Sequence, residues 1–278
     1  MPTRFWRQLT LRLCTLLGAR RQGFFIPYRY ADQVTPPPPY DAAERLFGAA
    51  RDDFAAALDS LSTYASDLRA IAPDAPGPQP RWNQDWFAPL DAAILYAFIR
   101  QRRPGRLLEV GSGHSTRFAA RAIRDGQLAT RHIAIDPAPR ADCAQLPIDL
   151  HRRVLKEADG ALFAALAAGD MLFIDSSHIL MPGTDVDQLF NRILPALPKG
   201  VLVHVHDIFL PDDYPAAWRW RGYNEQLAVL PLIGSGAYRP LFASRYAATR
   251  MAKEMAASLA ATLPSSKAPA TSLWLEKV

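Results

Sequence analysis

A chain of 278 residues that is 49% hydrophobic and 21% charged can bury a sizeable core, and this length suits one α/β domain with an N-terminal extension. The formal charge of +5 belongs to an arm: residues 1–30 hold six arginines (Arg4, Arg7, Arg12, Arg20, Arg21, Arg29) and no acid, and without them 26 basic residues face 27 acidic ones. The near-neutral body excludes a basic groove for nucleic acid, and two cysteines, Cys14 and Cys143, exclude a disulfide framework or a zinc-spaced set.

No run reaches the ~18 apolar residues of a spanning helix. Arg12 interrupts the N-terminal apolar run and Gly18-Ala19-Arg20-Arg21 follows it, unlike a signal peptide, so a cytoplasmic protein is expected. Residues 4–17 mix arginines with Phe5, Trp6, Leu9, Leu13, Leu16 and Leu17 as a short basic amphipathic helix. Packing on its own domain is favoured for it over membrane contact. The aromatic run Phe24, Phe25, Tyr28, Tyr30 is expected to dock on the body, and Pro36–Pro39 ends anything regular. These features define an arm over residues 1–40.

From Phe47 to Ile71 apolar residues recur every three or four positions, a helical spacing with Gly48 as a break near its start. Pro73–Pro80 reads as a linker, so residues 41–80 form a helical module and its tether, and residues 81–278 the main domain. A helix with Leu90, Ala93, Ile94, Ala97 and Phe98 on one face comes first. Strands at Leu107–Val110, His132–Ile135, Leu150–Leu155, Met171–Ile174 and Val201–His206 then alternate with helices at Ser115–Asp125, Gly160–Ala168 and Asp187–Leu197. That order implies a mostly parallel sheet with right-handed crossovers. Two further strands, Arg239–Ser244 and Ser272–Lys277, close the chain.

The first strand runs into Glu109-Val-Gly111-Ser112-Gly113-His-Ser115-Thr116, a glycine turn at a helix N-terminus that suits the polar part of a nucleotide-like ligand. A dinucleotide motif would have a third glycine where Thr116 stands. Glu109 so close to the turn would repel a pyrophosphate but accept bonds from a cationic, amino-acid-like ligand. A nicotinamide oxidoreductase (NAD(P)-dependent) is therefore the second reading, and a nucleotide-fold binding protein without turnover the third.

Glu109-Val-Gly-Ser-Gly113 followed by a second strand ending in Ile-Asp136-Pro resembles the class I methyltransferases that use S-adenosylmethionine, from about Ala88 to the C-terminus. The resemblance implies a Rossmann-like seven-stranded sheet, mostly parallel with a terminal antiparallel hairpin, behind the N-terminal helical extension. Phe173-Ile-Asp175-Ser-Ser-His178 with Val203-His204-Val-His206-Asp207 is similar to bacterial small-molecule O-methyltransferases, including metal-dependent sugar-modifying ones. It implies that Glu109, Gly111, Ser112, Gly113, Ser115 and Thr116 surround the methionine part of the cofactor, that Asp136 takes the ribose hydroxyls, and that Asp175 lies beside them.

In an open α/β sheet the reaction belongs at the carboxyl ends of the strands, where Asp175 and Asp207 should be neighbours. Two mechanisms fit. In one, Asp175, Asp207 and His206 hold a divalent ion such as magnesium while His178 removes the acceptor's proton. In the other no metal binds, and His178 or His206 acts directly. His204 is expected to be structural. Trp82–Phe87 and Leu210–Gln226, rich in aromatic side chains, are expected to cover the acceptor, a small molecule or glycan precursor. A homo-oligomer is compatible with these features.

Overall fold

The computed structural model describes residues 2–24, 26–139 and 142–278, with the side chains of residues 2–5, 7 and 8 outside the description. It contains two compact units, Met1–Pro37 and Pro38–Val278. The first holds a helix, Pro2–Leu16, stopped by Gly18 in the left-handed conformation. Within this unit Phe24, Tyr28 and Tyr30 are exposed. Phe25 lies outside the described residues.

The second unit is built on a seven-stranded sheet of order β3-β2-β1-β4-β5-β7-β6. The strands are β1 Arg106–Val110, β2 Arg131–Ile135, β3 Asp149–His151, β4 Met171–Ile174, β5 Leu202–Val205, β6 Tyr238–Ala243 and β7 Leu273–Lys277. β1 to β5 pair in parallel, and β7 runs antiparallel between β5 and β6. The near-continuous apolar runs of β1, β2, β4 and β5 reflect burial on both faces, as a parallel sheet requires. Where the order reverses, β1 and β4 lie side by side, so their carboxyl ends open one crevice.

Three expected elements differ in extent. β3 covers only three residues, because it is an edge strand and the Arg153 N–H turns back to the His151 carbonyl. The helix expected at Asp187–Leu197 starts at Asp185, capped by the Thr184 hydroxyl, and widens into a π turn at Leu189–Ile193. Pro195 explains the widening, since it has no N–H and its ring crowds the carbonyl one turn back. Gly160–Ala164 is shorter than the Ala-rich run suggested.

Residues 41–69 form helices Asp41–Ala49, Arg51–Ser60 and Ala65–Arg69 around a 3-10 turn, and the break falls at Ala50 rather than Gly48. They lie in the same compact unit as the sheet. Phe54 is fully buried, with ring centroids 5.7 Å from Phe242 of β6, 5.9 Å from Tyr246 and 6.1 Å from Phe47. The Pro-rich segment after them is folded back, with the Asn83 amide donating to Asp74 at 2.7 Å and the Asn83 N–H to the Pro73 carbonyl at 2.8 Å.

Phe54→Ala should therefore cost about 3–5 kcal/mol and lower the melting temperature of the whole second unit. Denaturant unfolding followed by helix and tryptophan signals should give one coincident transition; an earlier, separate loss of helix signal would contradict a shared core.

Candidate active site

The turn after β1 is fixed by what it cannot accommodate. Gly111 has φ +90°, and a Cβ there would lie 1.8 Å from the Asp175 carbonyl oxygen. Only glycine allows the turn after β1 to approach the turn after β4 this closely. The Asp175 N–H donates to the Val110 carbonyl and the Gly111 N–H to the Ile135 carbonyl, both at 2.9 Å, so the ends of β1, β2 and β4 are stitched together.

Glu109 braces this turn from behind. Fully buried, it accepts from the Thr116 hydroxyl at 2.6 Å, and its other oxygen lies 2.6 Å from His132 Nε2. Thr116 in turn accepts the Gly113 N–H at 3.0 Å, which is why a threonine stands where a dinucleotide motif has its third glycine. Both carboxylate oxygens of Glu109 contact the protein and the residue is 1% exposed, so it braces the turn from beneath. Asp136, at the end of β2, accepts the Ser112 N–H at 2.7 Å and the Ser112 hydroxyl at 3.0 Å on one oxygen. Its other oxygen accepts the Ala138 N–H at 2.7 Å. It both shapes the strand-end turn and faces the glycine loop.

Beside that turn sits His114, the first residue of the helix His114–Asp125. Burial, and then the charges of Arg117 and Arg81, pushes its imidazole down to about 4, so it is neutral at pH 7. Among the described residues its Nδ1 has no hydrogen-bond partner, nor has the buried hydroxyl of Ser176 after β4, and both are polar groups that a bound ligand can satisfy.

The other half of the crevice gathers the expected histidines and acids. His178 and Asp207 both have left-handed backbones, with φ of +60° and +56°, conformations that non-glycine residues adopt mainly where surrounding structure enforces them. His178 Nε2 lies 3.2 Å from Asp175 and 3.5 Å from Asp207; its Nδ1 is 2.8 Å from Glu225. His206, next after β5, places Nδ1 3.4 Å from Asp175 and 3.5 Å from Asp207, and Nε2 3.6 Å from Asp91. Asp175 therefore stands between the two imidazoles, with its side chain about a third exposed (34%) to the crevice.

Burial alone would push both imidazoles down. For His178 the hydrogen bonds to Asp175 and Glu225 and the charge of Asp207 outweigh it, holding the group well above the usual histidine value. For His206 the charges of Asp175 and Asp207 do the same. Burial would raise Asp175, but the His206 charge and the bonds from both histidines keep it well below the carboxylate range. Glu225, wholly buried, is raised by desolvation in spite of His178.

His204 is different. It stacks on Phe173 at 3.7 Å and contacts Ser272 at 2.7 Å, and burial, followed by the charge of His206, keeps it neutral. It is structural, as its mid-strand position implied.

Asp175, Asp207 and His206, considered above as ligands of a divalent ion, do meet in the crevice, with His206 Nδ1 3.4 Å from Asp175 and 3.5 Å from Asp207. Among the described residues no group of three or more histidine, cysteine, aspartate or glutamate side chains is disposed to hold a metal.

Two members of the cluster were not assigned to it from the sequence, although Glu225 lies in the segment Leu210–Gln226 expected to cover the acceptor. Glu225 lies 47 residues from His178 in sequence, and the loops are joined by Asn224, whose side chain accepts the Leu180 N–H at 2.7 Å. Asp91 is the one charged residue among the wholly buried Pro89–Ile99, and it accepts the N–H groups of Thr271 and Ser272 at 3.0 and 3.2 Å. An acid within so apolar a helix was its available signal. Of the aromatic segments, Trp82 and Phe87 belong to the core around Phe118. In the second segment the Tyr223 ring lies 4.5 Å from that of His178, and Arg221 stacks on Trp218 at 3.8 Å.

Residues 108–208, from β1 to just beyond β5, match a family described as a methyltransferase domain. The match falls on the part of the chain that carries the glycine turn and the acids at the strand ends, and the sheet order is the one expected above from the resemblance to class I methyltransferases. Similar solved structures include a Podospora anserina methyltransferase bound to S-adenosylhomocysteine, 16% identical over 92% of this chain and 99% of that one, TM-score 0.40. Others are the O-methyltransferase TomG of Streptomyces achromogenes with S-adenosylmethionine (16%, 90% and 94%, TM-score 0.39) and a Bacillus cereus O-methyltransferase with S-adenosylhomocysteine (10%, 90% and 94%, TM-score 0.39). Among curated protein sequences none matches the chain.

The histidine assignments have a direct readout. Raised imidazoles add stability that is complete below about pH 6.5 and is lost as pH rises through their folded values. The depressed Asp175 adds stability that is complete above about pH 3.9 and lost on acidification. Imidazole NMR should show His178 and His206 still protonated well above pH 6.5 and His204 neutral; either of the first two titrating below 6.5 would contradict the pairing.

Proposed function

We propose that this protein is an S-adenosylmethionine-dependent O-methyltransferase of a small hydroxylated molecule, with His178 as the general base. The observation that carries the reading is the position of His178 Nε2, 3.2 Å from Asp175, whose backbone closes directly on Gly111 of the cofactor turn. The proton acceptor and the expected cofactor site are thus separated by one residue.

The residues fit the cofactor. Gly111, Ser112 and Gly113 leave backbone exposed to the methionine part, Ser115 and Thr116 open the helix whose N-terminus faces it, and Glu109 holds the turn in shape. Asp136 offers its remaining lone pairs to the ribose hydroxyls, for which a carboxylate is a suitable acceptor. When bound, S-adenosylmethionine supplies an electrophilic methyl group on a sulfonium. What the chain must do is place an acceptor hydroxyl in line and take its proton.

His178 does the second. Glu225 fixes its Nδ1, so that Nε2 presents to the crevice, where Asp175 and Asp207 stabilise the imidazolium formed on proton transfer. His206, held by Asp91 and Thr271 from below, anchors Asp175 and Asp207 and is a supporting group or alternative base. Tyr223, with Tyr214 and Trp218 behind it, forms the wall nearest His178, and an aromatic face of this kind suits a sugar or other polyol.

Because a base must be neutral to act and this one is held protonated, kcat/KM should rise with pH above 6.5 until His178 has titrated. His178→Ala should lower kcat by about 10²–10⁴ and flatten that limb while leaving cofactor affinity near wild type. Asp136→Ala should weaken S-adenosylhomocysteine binding, measured calorimetrically, by at least about tenfold. A chain stabilised by NADH but not by S-adenosylhomocysteine would overturn the reading. Activity should persist in EDTA, and its loss with recovery on magnesium would return the ion to the site.

A further inference from the structure

None of the residues assigned to the site above belongs to the unit Met1–Pro37, whose own surface is unusual for a chain segment in water. On the helix Pro2–Leu16 and its last turn, Leu13, Leu16 and Leu17 are three and four residues apart and so share one face. All three are exposed, Leu16 by 57% and Leu17 by 79%, and Trp6, seven residues before Leu13 on that face, is exposed too. Beyond the left-handed turn at Gly18, Phe24, Ile26, Tyr28, Tyr30 and Val34 are also exposed.

From Trp6 to Tyr30 the charged residues among these apolar groups are all cations. Residues 1–30 contain six arginines and the first acid of the chain is Asp32. Arg21 lies over the Phe24 ring at 5.1 Å and Arg29 over Tyr30 at 5.8 Å, so the charged and aromatic groups are interleaved. Polar chemistry alone does not explain exposed leucines, and apolar packing alone does not explain six arginines without an acid.

We propose that residues 2–37 dock the protein on an anionic lipid surface. Leucines and aromatic rings enter the boundary between headgroups and acyl chains while the arginines meet lipid phosphate and carboxylate groups. A nucleic acid would take the arginines and leave the leucines in water; a negatively charged bilayer surface takes both. No described helix is long and apolar enough to cross a membrane, so the contact is peripheral. The arginine excess matches the lipid's charge, while the rest of the chain, nearly neutral, adds little to the attraction.

The test is co-sedimentation of the full chain with phosphatidylcholine vesicles, with and without phosphatidylserine, at low and high salt. Binding should require phosphatidylserine and weaken with salt. Leu13→Glu/Leu16→Glu/Leu17→Glu should reduce it at least about tenfold. Arg12→Gln/Arg20→Gln/Arg21→Gln should reduce it roughly a hundredfold, about fivefold per arginine. Both variants should keep the wild-type affinity for S-adenosylhomocysteine, which reports on the second unit alone. Absence of sedimentation, equal binding to neutral vesicles, or full binding by the leucine variant would overturn the proposal. So would duplex DNA bound as tightly as the anionic vesicles, with the leucine variant unimpaired on it, which would assign the arm to nucleic acid.

Discussion

The contact between Gly111 and the Asp175 carbonyl is the constraint on which the site depends. A missing side chain lets the turn after β1 and the turn after β4 share a volume in which a Cβ would sit 1.8 Å from an oxygen. Parallel pairing of β1 with β4 brings the two strand ends level, and the Asp175 N–H completes the ladder onto Val110. In the proposed reaction a methyl donor and a proton acceptor have to be close together, and this junction would bring their proposed sites together through backbone alone. Glu109, His132 and Thr116 then hold the turn from beneath, and the histidine–acid cluster is built outward from Asp175.

That cluster is an arrangement of charges that support one another. Each imidazole would lose its proton if buried alone, and each acid would resist ionisation. Together, the surrounding carboxylates favour the protonated forms of His178 and His206, and the two imidazoles favour the charged form of Asp175. Removing one partner leaves the others buried and unpaired, which is generally more costly than the pair itself is worth. The left-handed backbones of His178 and Asp207 indicate that local conformation has been subordinated to this geometry.

The sheet was legible because parallel strands buried on both faces leave apolar runs that end abruptly, and the residues just past those ends, Asp136, Asp175 and Asp207, lie at the crevice. His178 and His206 could be placed for the same reason. Glu225 could not, because nothing local marks it: its role comes from a loop joined to His178 across 47 residues by Asn224. Glu109 was visible as a member of the motif, but its orientation under the turn depends on His132 of the neighbouring strand, a tertiary fact. The π turn at Leu189–Ile193 and the brevity of β3 are likewise set by Pro195 and by edge position rather than by hydrophobic period. The Pro-rich segment has the composition of a linker, yet the helices before it share the core of the sheet through Phe47 and Phe54.

The central claim is that one crevice joins a cofactor turn to a histidine base. A crystal structure with S-adenosylhomocysteine measures it most directly. The account predicts ribose hydroxyls on the Asp136 carboxylate, the amino-acid part over Gly111–Gly113, and the sulfur directed toward the space between Asp175, His178 and Tyr223. A ligand lying elsewhere on the sheet, or one whose sulfur points away from His178 while Asp136 keeps only its bonds to Ser112 and Ala138, would contradict it.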